Sequence, residues 1–252
     1  MISLQGKKAL ITGGSRGIGR ATAVLFAKAG SDVAITYGSR EDAARQVRAE
    51  VEKAGRDCLT FKCDIANESE VRRTVAEIAG AWDRIDVLVN NAGIWTYLGM
   101  GEGDTPSWRE TMAVNLDSVY YFCDAVLPLM KARKQGWIVN VGSTAGIRGE
   151  ASHSHYAATK GALNALTKSW AVEFAPWNIR VNCVAPGWVD TDMCTEVFHD
   201  KDYQENIRQS IPLKRIPPAE DIAGPILFLA SDLARHITGA IINVNGGSVL
   251  CG

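Results

Sequence analysis

The amino-acid sequence predicts an α/β protein, a single doubly wound domain over residues 1–252 with a seven-stranded parallel sheet and helices on both faces. Seven short apolar runs rich in β-branched residues recur along the chain, without the alternation of a sheet that faces water. Helical patterns separate consecutive runs. At 252 residues the chain is long enough to bury one large core.

The apolar runs predict the strands in chain order, and the segments between them predict the helices. The best-marked helix start is Asn67 followed by Glu70, the spacing of a capping box. The runs are KALIT from Lys8, DVAIT from Asp32, CLTFK from Cys58, IDVLVN from Ile85, WIVNVG from Trp137, IRVNCVAP from Ile179 and AIINVN from Ala240.

Residues 188–218 break this rhythm. The segment is polar, weakly periodic and closed by three prolines. A long excursion after the carboxyl end of a strand predicts a lid over a ligand. A surface insertion with helical turns is the alternative.

Charge, cysteine content and the amino terminus exclude several classes of protein. A formal net charge of −1 gives no basis for binding nucleic acid or an anionic membrane. The six cysteines form neither a Cys-x-x-Cys pair nor a cluster with histidine, so we expect reduced thiols and no metal site. The start MISLQGKKALITGG enters a strand pattern without the features of a signal peptide. We therefore expect a cytoplasmic protein outside the membrane.

A glycine-rich turn, TGGSRGIG, follows the first strand and leads into an apolar helix. Gly13, Gly17 and Gly19 allow a tight turn with close backbone approach, and the free amides at the helix start suit a pyrophosphate. The spacing differs from the common G-x-G-x-x-G. The strand before the turn and the helix after it predict a dinucleotide site of Rossmann type.

Tyr156 and Lys160 stand four residues apart in HYAATKGA and share one face of a predicted helix. At about 5 Å and an effective dielectric of about 20, their attraction is roughly 3 kcal/mol, on the order of two pKa units in favour of tyrosinate. Such a tyrosine would carry protons near neutral pH. A packed tyrosine beside a solvated lysine is the alternative for this motif alone.

The glycine turn matches TGxxxGxG, the glycine motif of the short-chain dehydrogenase/reductase family. The resemblance to this family extends over essentially the whole chain. The pattern is most similar to that of the bacterial 3-oxoacyl-[acyl-carrier-protein] reductases. Further signatures resembling the family's are NNAG at Asn90–Gly93, Asn115 in VNLDSVYYF, Ser143 in NVGSTAG, Tyr156 with Lys160, APGWVDTDM, and VNGG near the end.

The resemblance implies hydride transfer between a nicotinamide and a carbonyl, with four catalytic residues. Ser143 would polarise the carbonyl and Tyr156 would protonate it. Lys160, helped by the positive charge of the oxidised nicotinamide, would lower the pKa of Tyr156, and it would also hold the nicotinamide ribose. Asn115 would hold a water of a proton relay. Each residue alone also fits a structural role, but together with the cofactor motif they predict a catalytic site.

The predicted cofactor site favours NADP(H), with NAD(H) as the alternative. An NAD enzyme of this type places an acid at the end of the second strand, where this chain has Tyr37. Arg16 and Arg40 would instead meet a 2′-phosphate, although Arg40 also fits a solvated helix start. The predicted cofactor-binding residues are Gly13, Ser15, Arg16, Gly17, Ile18, Gly19, Tyr37, Gly38, Ser39, Arg40, Asp64, Ile65, Asn91, Ala92, Gly93, Tyr156, Lys160, Pro186, Gly187, Val189 and Thr191.

The predicted substrate pocket is apolar and walled by aromatic side chains, with packing of the loops by the tryptophans as the alternative. His153 and His155 are interpreted as loop residues without a catalytic role. The predicted pocket residues are Trp95, Ser143, Trp188 and Met193, with Phe198 beside them.

The substrate is predicted to be a small-molecule or thioester carbonyl, a 3-oxoacyl or related ketone that is reduced to a secondary alcohol. A sugar, polyol or secondary-alcohol dehydrogenase is the alternative, and a non-catalytic dinucleotide sensor is disfavoured by the intact catalytic set. An acyl carrier protein is a candidate partner through Lys131, Arg133 and Lys134. Val172 stands where the resembled reductases tend to carry an arginine.

We expect a homo-oligomer, most simply a tetramer. In the family the helices here predicted at about 106–134 and 156–175 pair with their copies across a two-fold axis, and GGSVLCG resembles a second contact that would include Cys251. Packing of the extra apolar residues within one chain is the alternative. These residues are Val119, Tyr120, Tyr121, Phe122, Leu163, Leu166, Trp170 and Phe174.

Overall fold

A seven-stranded parallel sheet lies at the centre of the computed structural model, which describes residues 2–101 and 105–250. The spatial order β3-β2-β1-β4-β5-β6-β7 reverses its winding between β1 and β4, which opens a crevice at the carboxyl ends of the strands. The predicted Rossmann-type fold and its strands are confirmed. The strands are β1 Lys8–Ile11, β2 Asp32–Tyr37, β3 Cys58–Lys62, β4 Val87–Asn90, β5 Gly136–Val141, β6 Ile179–Pro186 and β7 Ile241–Val244.

Helices cover both faces of the sheet, as predicted. Leu10 and Ile11 are neighbours in β1 and point to opposite faces. Ile11 belongs to one buried cluster with Phe26, and Leu10 belongs to another with Phe122 and Leu163. The helices are α1 Gly17–Lys28, α2 Glu41–Lys53, α3 Glu68–Trp82, α4 Thr105–Met112, α5 Ser118–Arg133, α6 Ala145–Arg148, α7 Ser154–Phe174, α8 Thr195–His199, α9 Lys201–Ser210 and α10 Glu220–Ala230.

The start of α3 departs from the predicted capping box. Asn67 Oδ1 accepts from the N–H groups of Ser69 and Glu70, at 3.1 and 3.3 Å. The Glu70 carboxylate accepts from the N–H of Asp64 at 2.9 Å, because the N–H of Asn67 already donates to the Asp64 carbonyl. Only the asparagine half of the capping box is formed.

The segment after β6 is folded on itself. The Asp190 N–H donates to the Pro217 carbonyl at 2.9 Å, and Asp190 forms a parallel bridge with Pro218, so the two ends of the segment meet. Between them lie a 3₁₀ turn at Asp192–Cys194, then α8 and α9, around a small apolar cluster that includes Phe198. A lid role for this segment stays a prediction, as does the single domain.

Most of the extra apolar residues on α5 and α7 pack within the chain. Val119, Phe122, Leu163, Trp170 and Phe174 are buried, with Trp170 the most exposed at 8%. Tyr121 and Leu166 are partly buried against the same core. Tyr120 is exposed, so most of this set follows the alternative of packing within one chain.

Five cysteines, Cys58, Cys63, Cys123, Cys183 and Cys194, are buried free thiols, while Cys251 lies outside the described residues. Across residues 2–101 and 105–250, no helix has the length and apolarity needed to cross a bilayer. The same stretches hold no group of three or more His, Cys, Asp or Glu residues that could bind a metal ion.

Asp32, at the start of β2, joins three parts of the chain at the amino-terminal edge of the sheet. Its buried carboxylate accepts hydrogen bonds from Lys8 Nζ at 2.5 Å and from the Asp57 N–H at 3.0 Å, and it forms an ion pair with Arg56 at 2.6 Å. Burial alone would raise the pKa of Asp32, but the hydrogen bonds from Lys8 and Asp57 and the charges of Lys8 and Arg56 outweigh it and hold the pKa below its ordinary value.

We predict that Asp32→Asn lowers the free energy of unfolding by about 2–3 kcal/mol at pH 7, because two cations lose their partner. The folded-state pKa lies below the unfolded value, so the stabilisation is present above the ordinary aspartate pKa and disappears as the pH falls through the folded-state pKa. Urea unfolding of both proteins at pH 7 and below about pH 4 measures this.

Asp42→Asn is the matched control, because Asp42 is 95% exposed and lies 3.8 Å from Arg45. It should change stability by less than about 0.5 kcal/mol. Equal stability of Asp32→Asn and wild type at pH 7 would contradict the prediction.

Candidate active site

A cleft of about 900 Å³ lies across the carboxyl ends of the strands on both sides of the β1/β4 reversal. Among the described residues, those that line it include every predicted cofactor-binding residue except Gly19 and Arg40. Parallel strands and a reversal of winding bring these residues together from positions as distant in the chain as Gly13 and Thr191.

The glycine turn is shaped to receive an anion. Gly13 and Gly17 have φ of +63° and +51°, which side chains rarely adopt. At Gly19, a Cβ would lie 2.3 Å from the Gly13 carbonyl oxygen, so this glycine permits close packing of α1 rather than contact with a ligand. The start of α1 has no side-chain cap and no acid in its first turn, which leaves its N–H groups for the pyrophosphate of a dinucleotide.

Asn91 braces this turn from the other side of the reversal. Its Nδ2 donates to the carbonyls of Thr12 and Gly13 at 2.9 and 3.2 Å. The Thr12 hydroxyl accepts from the N–H groups of Asn91 and Ala92, both at 3.0 Å. The NNAG motif therefore holds the glycine turn in place as well as lining the cleft.

The far end of the cleft contains two basic residues that the sequence motifs missed. Lys62 ends β3 in register with Tyr37 of β2, and Arg73 of α3 also lines the cleft. The sequence did offer one signal for Lys62: it ends the run CLTFK, and the ends of adjacent parallel strands lie side by side, which places it next to Tyr37. This end also contains Asp64 and Glu70.

Ser143, Tyr156 and Lys160 line the same cleft, whereas Asn115 lies behind it. Ser143 follows β5, and the other two residues lie on α7. Asn115 is fully buried in a π-helical segment, Ala113–Asp117, between α4 and α5. Its side chain accepts from the Ile94 N–H and donates to the Ile94 carbonyl, both at 2.8 Å. In this structure Asn115 fixes the loop that follows β4.

Burial controls the protonation of Tyr156 and Lys160. Burial raises the pKa of Tyr156 to about 12, against a hydrogen bond with Ser143 that lowers it. Burial lowers the pKa of Lys160 to about 8. Lys160 Nζ donates to the Val141 carbonyl at 2.8 Å and lies 5.6 Å from the centre of the Tyr156 ring.

The separation of Lys160 Nζ from the Tyr156 ring agrees with the spacing expected from the sequence, but burial raises the Tyr156 pKa instead of bringing it close to neutral pH. The Coulomb estimate for an exposed pair leaves out desolvation, which disfavours the charged form of both groups here. The role that the resemblance implies for Lys160, acting together with the positive charge of an oxidised nicotinamide, stays a prediction.

The predicted aromatic wall is mainly a packing cluster. Trp95 stacks on His153 with 4.4 Å between ring centres and meets Trp188 edge-on at 5.7 Å. Of the described residues, those lining the cleft include Met193 but neither tryptophan. Phe198 is buried beside Trp188. The alternative of tryptophans that pack the loops describes this structure.

His155 is not a loop residue, contrary to the prediction. It lies in the first turn of α7, fully buried, and its Nε2 is 3.0 Å from the Thr96 hydroxyl. His153 immediately precedes the helix. The Leu98 N–H also donates to the Ser152 carbonyl at 2.8 Å, so the loop after β4 is fastened to the start of the helix that carries Tyr156.

The basic cluster at the end of α5 lies away from the cleft of its own chain. Lys131, Arg133 and Lys134 precede β5 and therefore stand at the amino-terminal edge of the sheet. Lys131 Nζ lies 3.9 Å from the centre of the Trp177 ring, and Arg133 lies 3.8 Å from Asp86. The cluster does not border the catalytic residues within one protomer.

Fold and site together define an NAD(P)-dependent oxidoreductase that acts on CH–OH or carbonyl groups. The family model described as enoyl-(acyl carrier protein) reductase matches residues 13–248. The chain belongs to the short-chain dehydrogenase/reductase family.

Three known proteins show the extent of the similarity. The 3-oxoacyl-[acyl-carrier-protein] reductase of Staphylococcus epidermidis is 38% identical over 241 residues, which cover 96% of this chain and 98% of that protein. The structure of a putative short-chain alcohol dehydrogenase from Sinorhizobium meliloti is 34% identical with a TM-score of 0.94, covering 98% and 97% of the two chains. Levodione reductase is 32% identical with a TM-score of 0.92, covering 96% and 97%.

We predict that, in nucleotide-free protein, the Tyr156 phenol stays protonated up to about pH 10, because burial disfavours the phenolate. Subtracting the ultraviolet titration of Tyr156→Phe from that of wild type isolates this tyrosine. The difference should show no tyrosinate below about pH 10 in folded protein and a transition near pH 10 in urea-unfolded protein. A folded-state transition near neutral pH would restore the role that the sequence alone predicts for Lys160.

Proposed function

We propose that the protein is an NADP(H)-dependent ketoreductase that reduces a 3-oxoacyl or related carbonyl substrate to a secondary alcohol. The observation that carries this proposal is the presence of Ser143, Tyr156 and Lys160 in the same cleft as an uncapped helix start. When bound, the nicotinamide supplies or accepts the hydride.

Ser143 and Tyr156 are the groups proposed to act on the carbonyl oxygen. Both hydroxyls can donate hydrogen bonds to an oxygen that gains negative charge, and Tyr156 then transfers its proton to that oxygen. With a pKa of about 12 the phenol holds its proton at neutral pH, which suits an acid in the direction of reduction.

Lys160 and Asn115 support this proton transfer. With a pKa lowered to about 8, Lys160 lies close enough to neutral pH to exchange a proton with its surroundings. We propose that it also holds the nicotinamide ribose hydroxyls, as the position of its ammonium group beside Gly93 permits. Asn115 holds Ile94 and thereby fixes the loop after β4, which lines the cleft.

The far end of the cleft supports NADP(H) over NAD(H). Arg16, Ser39 and Lys62 line it, while Tyr37 takes the place of the acid that would bind a ribose 2′-hydroxyl. Charge-assisted hydrogen bonds from such donors suit a phosphate. NAD(H) is the alternative that direct comparison of the two cofactors tests.

The substrate is proposed to be a ketone or a thioester-linked 3-oxoacyl group, in line with the name of the Staphylococcus epidermidis relative. The family model is described by reduction of an enoyl group, yet a pair of hydroxyls is suited to a carbonyl oxygen. A sugar, polyol or secondary-alcohol dehydrogenase is the second candidate, favoured by the name of the Sinorhizobium meliloti neighbour.

We propose a cytoplasmic homotetramer, with acyl carrier protein as the candidate partner. Tyr120 on α5 and Val172 on α7 are 52% and 78% exposed and leave apolar surface on the two helices that would pair across a two-fold axis. Antiparallel pairing of α5 would bring the Lys131 end of one copy toward the Asn115 end of the other. Only through such an assembly would the basic cluster approach a catalytic cleft.

We predict that Tyr156→Phe lowers kcat by at least about 100-fold, because the proton donor is lost, and leaves the Kd for NADPH within about twofold. Lys160→Ala should lower kcat and also weaken the binding of NADPH.

Absorbance of the reduced nicotinamide reports turnover on a 3-oxoacyl thioester, a cyclic diketone, an enoyl thioester and secondary alcohols. Tyr203→Phe, on the exposed face of α9, is the control. Retention of more than a few per cent of wild-type kcat by Tyr156→Phe would exclude the proton-donor role.

We predict that wild type has a higher kcat/KM for NADPH than for NADH, and that Tyr37→Asp shifts this ratio at least about tenfold toward NADH. A carboxylate at this position repels the 2′-phosphate and accepts a hydrogen bond from a 2′-hydroxyl. Tyr37→Phe is the matched control, since it adds no charge and should leave the ratio within about twofold. A wild-type preference for NADH would overturn the assignment of NADP(H).

A further inference from the structure

The carboxylate of Asp192 is shared by two arginines. Asp192 Oδ2 accepts from Arg40 Nη1 at 2.6 Å and lies 3.6 Å from Arg16 Nη1. Both arginines are predicted cofactor ligands, and all three side chains are between 43% and 57% exposed. Arg40, which does not line the cleft in this structure, has its guanidinium group turned toward Asp192.

These ion pairs join distant parts of the sheet edge. Asp192 follows β6, whereas Arg16 follows β1 and Arg40 follows β2. In the spatial order, β6 is three strands from β1 and four from β2, about 14 and 19 Å at about 4.8 Å per strand. The connection therefore passes across the cleft, over the carboxyl ends of β4 and β5.

The segment after β6 is tied down at two places. The bridge between Asp190 and Pro218 closes its base, and Asp192 fastens its first turn to the two arginines. Thr191 also approaches the glycine turn, since a Cβ at Gly17 would lie 3.4 Å from Thr191 Cγ2. Of the contacts that hold this segment, those of the Asp192 carboxylate with the two arginines are the ones in which another anion can take the place of the carboxylate.

Building on the proposed use of NADP(H), we propose that Asp192 is a specificity-determining residue that competes with the cofactor 2′-phosphate for Arg16 and Arg40. The phosphate presents the same kind of acceptor oxygens as the carboxylate, so it can displace Asp192 and release the first turn of the segment. The negative charge of Asp192 opposes a cofactor with the phosphate more than one without it.

The exposure of the ion pairs suits such an exchange. An ion pair between solvent-exposed side chains is weak and screened by salt, so a phosphate with two charges can replace it. A buried pair would hold the segment closed against the cofactor. The proposal also accounts for the position of Arg40, which joins the cleft only when Asp192 gives it up.

The test measures binding of two nucleotide fragments that lack the nicotinamide. The two ligands are adenosine 5′-diphosphate and the same nucleotide with a phosphate on its 2′-hydroxyl. Isothermal titration calorimetry at low salt gives the Kd of each ligand for wild type, Asp192→Asn and Asp202→Asn. The ratio of the two Kd values isolates the contribution of the 2′-phosphate. Asp202 is an exposed acid on α9 of the same segment and serves as the charge-matched control.

Asp192→Asn should raise the preference for the 2′-phosphate about fivefold, the effect of removing one exposed ionic competitor, and Asp202→Asn should leave it unchanged. Adding Arg40→Gln to Asp192→Asn should cancel the gain. An unchanged preference in Asp192→Asn overturns the proposal.

Failure of the NADP(H) assignment gives a different result. If wild type shows no preference for the 2′-phosphate but Asp192→Asn gains one, the competition stands and the assignment of NADP(H) to wild type falls. If neither protein shows a preference, both fall.

Discussion

The hydrogen bonds between Thr12 and the Asn91–Ala92 backbone hold the structure together where the winding of the sheet reverses. The Thr12 N–H donates to Val89 of β4, and its hydroxyl accepts from two N–H groups of the next loop. These contacts set the glycine turn against the loop that leads to Ile94 and Trp95. With the two loops held together at the reversal, a nucleotide can lie across the carboxyl ends of β1, β2 and β3, and the side chains proposed to react can lie on the side of β4, β5 and β6.

In the cleft, burial rather than pairing sets the protonation of Tyr156 and Lys160. The pKa of Tyr156 is raised and the pKa of Lys160 is lowered, because desolvation disfavours the phenolate of the tyrosine and the ammonium of the lysine. The effect keeps a proton on the phenol and brings the amine closer to neutral pH. A site of this kind depends on packing around α7 as much as on the identity of its polar residues.

The sequence predicted the features that depend on short stretches of chain. Seven strands and the glycine turn follow from local hydrophobic pattern and motif order, and the resemblance to the family implied the grouping of Ser143 with Tyr156. Contacts between distant residues were not predictable in the same way. The Arg40–Asp192 pair spans 152 positions, and the burial of His155 against Thr96 depends on a loop 59 positions earlier. The effect of burial on the Tyr156 pKa was likewise absent from the sequence estimate, because desolvation is set by the whole fold.

The bridge between Asp190 and Pro218 has a consequence for how this scaffold can vary. Because both ends of the intervening segment are fixed at one point beside β6, a change in its length need not move the strands or α7. Closing a longer loop at a fixed base costs only about 0.6 kcal/mol for each doubling of its length. The segment can therefore differ between proteins that share this sheet, and its predicted role as a lid would let such differences change the shape of the substrate that is admitted.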